Sequence, residues 1–327
     1  MRRTTSITTT IAHLVGPGKL KVTNAWLAYA RVNEPPLRID PRPLRQVYCY
    51  GDVSLSDEAL KLLCQHKINA VLLSPGGHEC RGHLVLDQDS SAALRRAQHE
   101  VCRDPALRLR LACDLVHDKL QSQRDAARHY QRHGTRAAGT ADQALATLQS
   151  RMRAAESLDQ LRGWEGQASA LWFDLYGQLL QSPWSFTTRN RRPPRDPVNA
   201  LLSLGYTWLS NRVELEIRAR GLEVTQGIYH DLRPGRPSLA CDVIEPFRVP
   251  WVDRWVLKIC HEGHLRPDQF QPQPDGAVFV PRDSFGKLLA SWEDHLEQHG
   301  FNSICQQRLD QLCHQLRHPP TPSPTPH

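Results

Sequence analysis

Nine cysteines are scattered through this 327-residue chain without one C-x-x-C pair. Their spacing excludes a zinc knuckle and a dithiol redox centre and fits buried thiols in a reducing compartment. Long apolar runs are also missing, so no segment reads as a membrane span, and Met1 to Thr10 is polar, with no secretory apolar core. The expectation is a soluble, cytoplasmic protein with no membrane partner. Lysine is scarce: basic residues exceed acidic ones by 41 to 34, yet only seven of the 41 are lysines. Arginine's planar fork is the better phosphate clamp, so the excess points to an anionic partner, most simply nucleic acid. A charge of +7 spread over this length also fits an ordinary solvated surface.

The length allows two domains and a sizeable core. From Thr8 to Leu86 short apolar runs, broken by Gly and Pro, read as strands. One helix interrupts them at SDEALKLLCQHK, capped by Ser56 and followed by INAVLLSPGG as a buried strand. After Ser90 the pattern changes to long helical periods, at Ala92 to Cys102, Ala106 to Tyr130, Ala141 to Ala155 and Leu158 to Leu180. The fold class is therefore α+β: a small β-rich domain over residues 1–89, a larger all-α domain over 90–317, and a Pro-rich tail over 318–327 that is expected to be disordered and dispensable. The arginines that stud the first helices, Arg108 and Arg124 among them, read as solubilising charges.

Chemistry-bearing residues gather in three places. In the helix from Leu158, Glu165 shares a side with Leu161, Ala168, Trp172, Leu175 and Leu179; an inward carboxylate must be paired, by an arginine or by a metal. The loop FTTRNRRPPRDP follows, with Arg189, Arg191, Arg192 and Arg195 on a Pro-stiffened segment suited to backbone phosphates or to solvent. Asp196 and Pro197 then start another helix, ending at Gly221. The stretch GIYHDLRPGRPSLACDVIEPFRVPWVDR holds His230, Asp242, Glu245 and Arg248. Imidazole and carboxylates together suit a divalent cation, with Arg248 beside them for a phosphate; Asp-x-x-Glu is equally a helix-capping pattern. His295 and His299, spaced i,i+4, and the group Cys260, His261 and His264 lack the partners a metal site needs.

Taken together, LRGWEG, RRPPRDPVNALLSLGYTWL, GIYH and SLACDVIEPFR, in that order and spacing, resemble the integrase subunit of CRISPR spacer acquisition. VYCYGDVSLSDEALKLL, INAVLLSPGG and LRRAQ extend the likeness over roughly residues 10 to 300. GLEVTQG stands where that family often shows GLDP, and Trp164 precedes the glutamate of the LRGxEG motif.

The resemblance implies that Glu165, His230 and Glu245 ligate one divalent metal, Mg²⁺ or Mn²⁺, with Asp242 in support and Asn199 beside the site. It implies an N-terminal domain that forms the homodimer, a helical catalytic domain, and a small dimeric partner protein of the adaptation complex. The implied reaction is phosphoryl transfer, in which the 3′-hydroxyl of a double-stranded prespacer attacks a phosphodiester of CRISPR repeat DNA. A structure-selective metal nuclease without integration and a catalytically inactive DNA-binding scaffold are the alternatives.

Overall fold

The computed structural model describes residues 6–7, 10–86, 91–191, 193–263 and 265–319. Arg192, His264 and nearly all of the Pro-rich tail lie outside the described residues, and so does the expectation of disorder there. The described chain forms two compact units.

The first unit takes residues 6–86 and, unexpectedly, Val280–His299. Its strands are β1 (Ser6–Ile7), β2 (Ile11–Val15), β3 (Gly18–Thr23), β4 (Trp26–Ala30), β5 (Leu37–Ile39), β6 (Gln46–Tyr50), β7 (Val53–Leu55), β8 (Asn69–Leu73) and β9 (Cys80–Leu84), with helix α1 at Asp57–Gln65. One sheet has the order β1-β2-β6-β8-β9 and the other β5-β4-β3-β7. In the first, Ala12 pairs with Val47 and Val47 with Ala70, both in parallel register. Strands β2 and β6 are buried throughout, as parallel strands covered on both faces must be. Ala12, Leu14, Val47 and Ala70 share one core with Leu20 and Leu27 of the other sheet and Ala59 and Leu63 of α1. Ser56 caps α1 as its sequence requires, its hydroxyl accepting from the Ala59 amide at 3.2 Å.

The second unit is helical: α2 (Ser91–Arg103), α3 (Pro105–Arg132), α4 (Arg136–Arg151), α5 (Leu158–Leu179), α6 (Pro197–Ala219), α7 (Ser238–Ile244) and α8 (Arg254–His261). A two-stranded hairpin, β10 (Gln271–Pro272) and β11 (Val278–Phe279), is its one departure from all-α among the described residues. Helices α9 (Phe285–Gln298) and α10 (Phe301–Arg317) close the chain. The division expected at residue 90 is corrected at α9. That helix belongs with the β-rich unit, where Glu293 pairs with His13 at 3.0 Å and the Phe285 ring meets Tyr50 edge-on. Its buried face, Phe285, Leu288, Leu289, Trp292 and Leu296, has an ordinary amphipathic spacing, which says that the helix is covered but not by what.

Helix starts follow their caps. Ser157 accepts from the Gln160 amide at 3.2 Å at the head of α5, and Asp196 accepts from the Asn199 amide at 2.8 Å ahead of Pro197 in α6, each worth about 1 kcal/mol. Gly221, at φ +70°, ends α6 in the left-handed conformation that glycine adopts without strain. Among the described residues no helix is long and apolar enough to cross a membrane.

Candidate metal centre

Helix α3 supplies a residue that sequence reasoning missed. Its buried stripe, Leu111, Leu115, Val116 and Leu120, includes Lys119, which is only 8% exposed. The ammonium of Lys119 donates to Glu165 Oε1 and lies 2.7 Å from Glu245 Oε2. Three elements thus meet on one charge: α3, α5 through Glu165, and the 3₁₀ turn Glu245–Phe247 after α7. The signal was present, since a lysine at an apolar position of a helix needs an anion to face.

Glu245 is buried, and its other oxygen is 3.1 Å from the Arg248 guanidinium. Burial works against its charge, but Arg248 and Lys119 outweigh burial and hold the carboxyl down at about 2. Burial likewise opposes the charge on Lys119, and Glu245 and Glu165 reverse the balance, raising its pKa. Both groups are therefore charged at neutral pH. Glu165 is further fixed by the Ser169 hydroxyl, which donates to Oε1 at 2.8 Å.

His230 reaches the site on the loop after α6, which is wrapped around Asp242. The Asp242 carboxylate, wholly buried in α7, accepts from the amides of Ile228 (2.6 Å), Tyr229 (3.0 Å) and His230 (2.9 Å). It also meets the imidazole Nδ1 of His230 at 2.6 Å. With the Nδ1 proton donated there, Nε2 keeps the lone pair, the carboxylate–histidine arrangement that orients metal ligands. Gly227 permits the wrap: a Cβ there would overlap the His230 carbonyl oxygen and stand 3.0 Å from Asp242 Oδ2. Asp242 does satisfy amides, as the capping reading has it, but they belong to this loop rather than to a helix start.

The outside of the loop is fastened by Arg108, whose Nε donates to the Ile228 carbonyl at 2.7 Å. Arg108 and Arg162 also grip Asp231 at 2.8 and 2.7 Å. Arg108 is thus a structural tie, not a solubilising charge, and Arg124 likewise binds Asp142 at 2.8 Å. Arg162 comes from the same helix as Glu165, so α5 places the carboxylate and the histidine loop together. His230 lies within electrostatic reach of the Glu245 carboxyl. After burial, the charges of Glu165 and Glu245 are the next causes that raise the pKa of Tyr229.

Behind the site, Arg248–Asp253 forms a π-helical turn, an irregularity that recurs at functional sites. Asp253, at its end, accepts from Trp172 Nε1 of α5 at 2.7 Å and from the Tyr206 hydroxyl of α6. Its backbone carbonyl accepts from Tyr176 at 3.1 Å. The guanidiniums of Arg248 and Arg189 lie 4.9 and 5.3 Å from the Tyr206 ring centroid, within cation–π range.

The arginine loop divides. Arg189 is half-buried and donates to Asn199 Oδ1 at 2.7 Å and Ser203 Oγ at 3.0 Å. Arg191 and Arg195 are exposed, Arg195 with one bond of 2.8 Å to the Asp275 carbonyl. The bonds of Asn199 go to Arg189, Asn190, Asp196 and the Thr188 carbonyl. It therefore shapes this loop and does not touch the three proposed ligands. Arg248, expected to meet a phosphate, spends one terminal nitrogen on Glu245.

Two carboxylates and an imidazole with an engaged Nδ1 have the donor chemistry of a divalent-cation site. Among the described residues, no three acidic, histidine or cysteine side chains enclose a point where an ion would sit, and Lys119 stands where the two glutamates converge. His295 and His299, though in ring contact, form no such group either.

Known proteins are similar to this chain in sequence and in fold. A family model described as CRISPR associated protein Cas1 matches residues 13–294. A relative from Thermodesulfovibrio yellowstonii, named CRISPR-associated endonuclease Cas1 1, is 34% identical over 261 residues, covering 78% of this chain and 81% of its own. Among solved structures, a CAS1 protein from Thermotoga maritima superposes with a TM-score of 0.83 at 20% identity, over 97% of this chain and 100% of that one. A casposase bound to integration product gives 0.79 at 19% identity, over 96% and 92%. The match over most of the length shows that the protein belongs to the Cas1 family.

Proposed function

We propose that this chain is a metal-dependent DNA integrase that joins the 3′-hydroxyls of prespacer DNA to phosphodiesters of CRISPR repeat DNA by transesterification. The observation that carries the reading is the convergence of Glu165 and Glu245 on one cationic position, beside an imidazole whose Nδ1 is engaged by Asp242. Glu165, Glu245 and His230 Nε2 would hold Mg²⁺ or Mn²⁺. When bound, such an ion supplies Lewis-acid polarisation of the scissile phosphate and stabilises charge on the transferring group. Asp242 keeps His230 in the ligating tautomer, and Arg248 holds Glu245 ionised. One phosphodiester is broken as one is made, so the reaction needs no nucleotide.

Arg191 and Arg195, both exposed, would meet backbone phosphates. The β-rich unit would make the homodimer, and a small dimeric adaptation protein would complete the complex. The relative from Thermodesulfovibrio yellowstonii is named an endonuclease, and the casposase structure is of a protein bound to integration product; both favour strand cutting and joining at such a site. A labelled prespacer incubated with a supercoiled repeat plasmid and Mg²⁺ or Mn²⁺ tests the reading. Joined products support it, and their loss in Glu245→Ala ties them to the site. Fragments without joining would make the protein a nuclease, and a mobility shift alone would make it a scaffold.

A further inference from the structure

We infer that Lys119 is a resident counter-ion that competes with the divalent metal for Glu165 and Glu245, so that metal loading requires its ammonium to leave. The inference rests on the metal site proposed above and concerns how that site is kept and filled.

The ammonium is hydrogen-bonded to Glu165 Oε1 and 2.7 Å from Glu245 Oε2. A metal using those oxygens would sit about 2.0–2.2 Å from each, next to Nζ. Two cations cannot share that position in a region where burial has removed most of the water that would screen them. Arg248 cannot substitute for Lys119, because its guanidinium is on the other oxygen of Glu245 and against the Tyr206 ring. Lysine suits the exchange: a compact charge on a flexible four-carbon stem can swing aside while its helix stays packed. Leu115, Val116 and Leu120 anchor α3 on either side of it.

The counter-ion also keeps the site in shape before metal arrives. Without a cation between them, Glu165 and Glu245 would face one another as like charges, the second of them buried. With Lys119 in place that repulsion is offset and α3, α5 and the Glu245 turn are drawn together, so the ligands are preformed. The cost appears as weaker metal binding. Apparent affinity falls by the fraction of molecules whose site is free, about tenfold if the ammonium holds its seat in nine molecules of ten.

The test is Mn²⁺ binding by the full chain, followed by calorimetry and by loss of the free-ion electron paramagnetic resonance signal, with melting temperatures in chelator and in Mn²⁺. The variants are Lys119→Met, Lys119→Gln and Glu245→Gln. Lys119→Gln retains a hydrogen-bond donor to the carboxylates should the methionine variant not fold. Removing the ammonium is expected to lower the melting temperature in chelator by several degrees, to tighten Mn²⁺ binding by about tenfold, and to enlarge the stabilisation that Mn²⁺ brings. Mn²⁺ binding that is lost in Glu245→Gln but unchanged or weaker in both Lys119 variants overturns the counter-ion and leaves the metal site standing. Absence of any Glu245-dependent Mn²⁺ binding in all of the proteins overturns both.

Discussion

Asp242 and His230 are joined twice, through the backbone amide at 2.9 Å and through the imidazole Nδ1 at 2.6 Å, by the same carboxylate oxygen. The other oxygen serves the amides of Ile228 and Tyr229, so one buried side chain sets both the path of the loop and the tautomer of the ring. Asp242→Ala leaves these donors without an acceptor and is expected to cost on the order of 3 kcal/mol, read as a lower denaturation midpoint in urea. Asp242→Asn keeps the volume but faces an amide group toward donors. It should fold better than the alanine variant yet lose the fixed Nδ1–H tautomer of His230, which nitrogen NMR shifts report. An unchanged tautomer in the asparagine variant would remove Asp242 from its orienting role.

The arginine loop yields opposite expectations for residues two to six apart in sequence. Arg189 is committed inward to Asn199 and Ser203, so Arg189→Ala should destabilise the fold, by about 1–3 kcal/mol. Arg191 and Arg195 are exposed. Replacing both by alanine should leave stability unchanged, weaken binding to all DNA sequences alike, and make the slope of log affinity against log salt shallower by about one to two units. A slope equal to that of the unaltered protein would return these two to ordinary surface charge.

The elements that carry the site are readable from local signals. Helix α5 has its cap at Ser157 and its buried stripe where apolar spacing puts them, and Glu165 falls on that side. The G-x-x-H motif makes sense as the tight wrap that Gly227 allows around Asp242. What escaped notice depends on contacts between distant segments. Lys119 is 46 residues from Glu165, and nothing local says which anion it faces. Arg108 looks like any helix-surface arginine until the loop around Ile228 folds back onto it, 120 residues on. Helix α9 shows an apolar face in sequence, but the strand residues that cover it, His13 and Tyr50, come from the other end of the chain.

Asp253 gives the pH dependence. Burial pushes its carboxyl up to about 6, although hydrogen bonds from Tyr206 and Trp172 and the charges of Arg248 and Arg189 work the other way. An acid whose folded-state pKa lies above its unfolded value holds its proton more tightly when folded. Its contribution to stability is fully present below about pH 4 and is lost as pH rises through about 6, a change of roughly 3 kcal/mol between those limits. Asp253→Asn cannot ionise. Denaturant titrations at pH 4.5 and pH 7 should show the variant gaining ground on the unaltered protein at the higher pH. A stability difference that is the same at both would place the carboxyl at its ordinary value.

Glu245→Gln removes a charge without removing volume. The glutamine still fills the turn after α7, but it cannot balance both Lys119 and Arg248, so a buried and a half-buried cation lose their shared anion. Strand joining in Mg²⁺ or Mn²⁺ should fall by at least about 100-fold, the scale on which loss of an electrostatic contributor to a transition state is felt. The exposed Arg191 and Arg195 are untouched, so DNA affinity at moderate salt should change by less than about threefold. Glu165→Gln is expected to behave alike, because the two carboxylates serve the same cation position, one from α5 and one from the 3₁₀ turn after α7. If either variant joins strands at the rate of the unaltered protein, the paired glutamates are a structural ion cluster around Lys119 and the catalytic ion is held elsewhere. If instead DNA binding collapses with activity, the cluster serves to hold the helices in place for DNA.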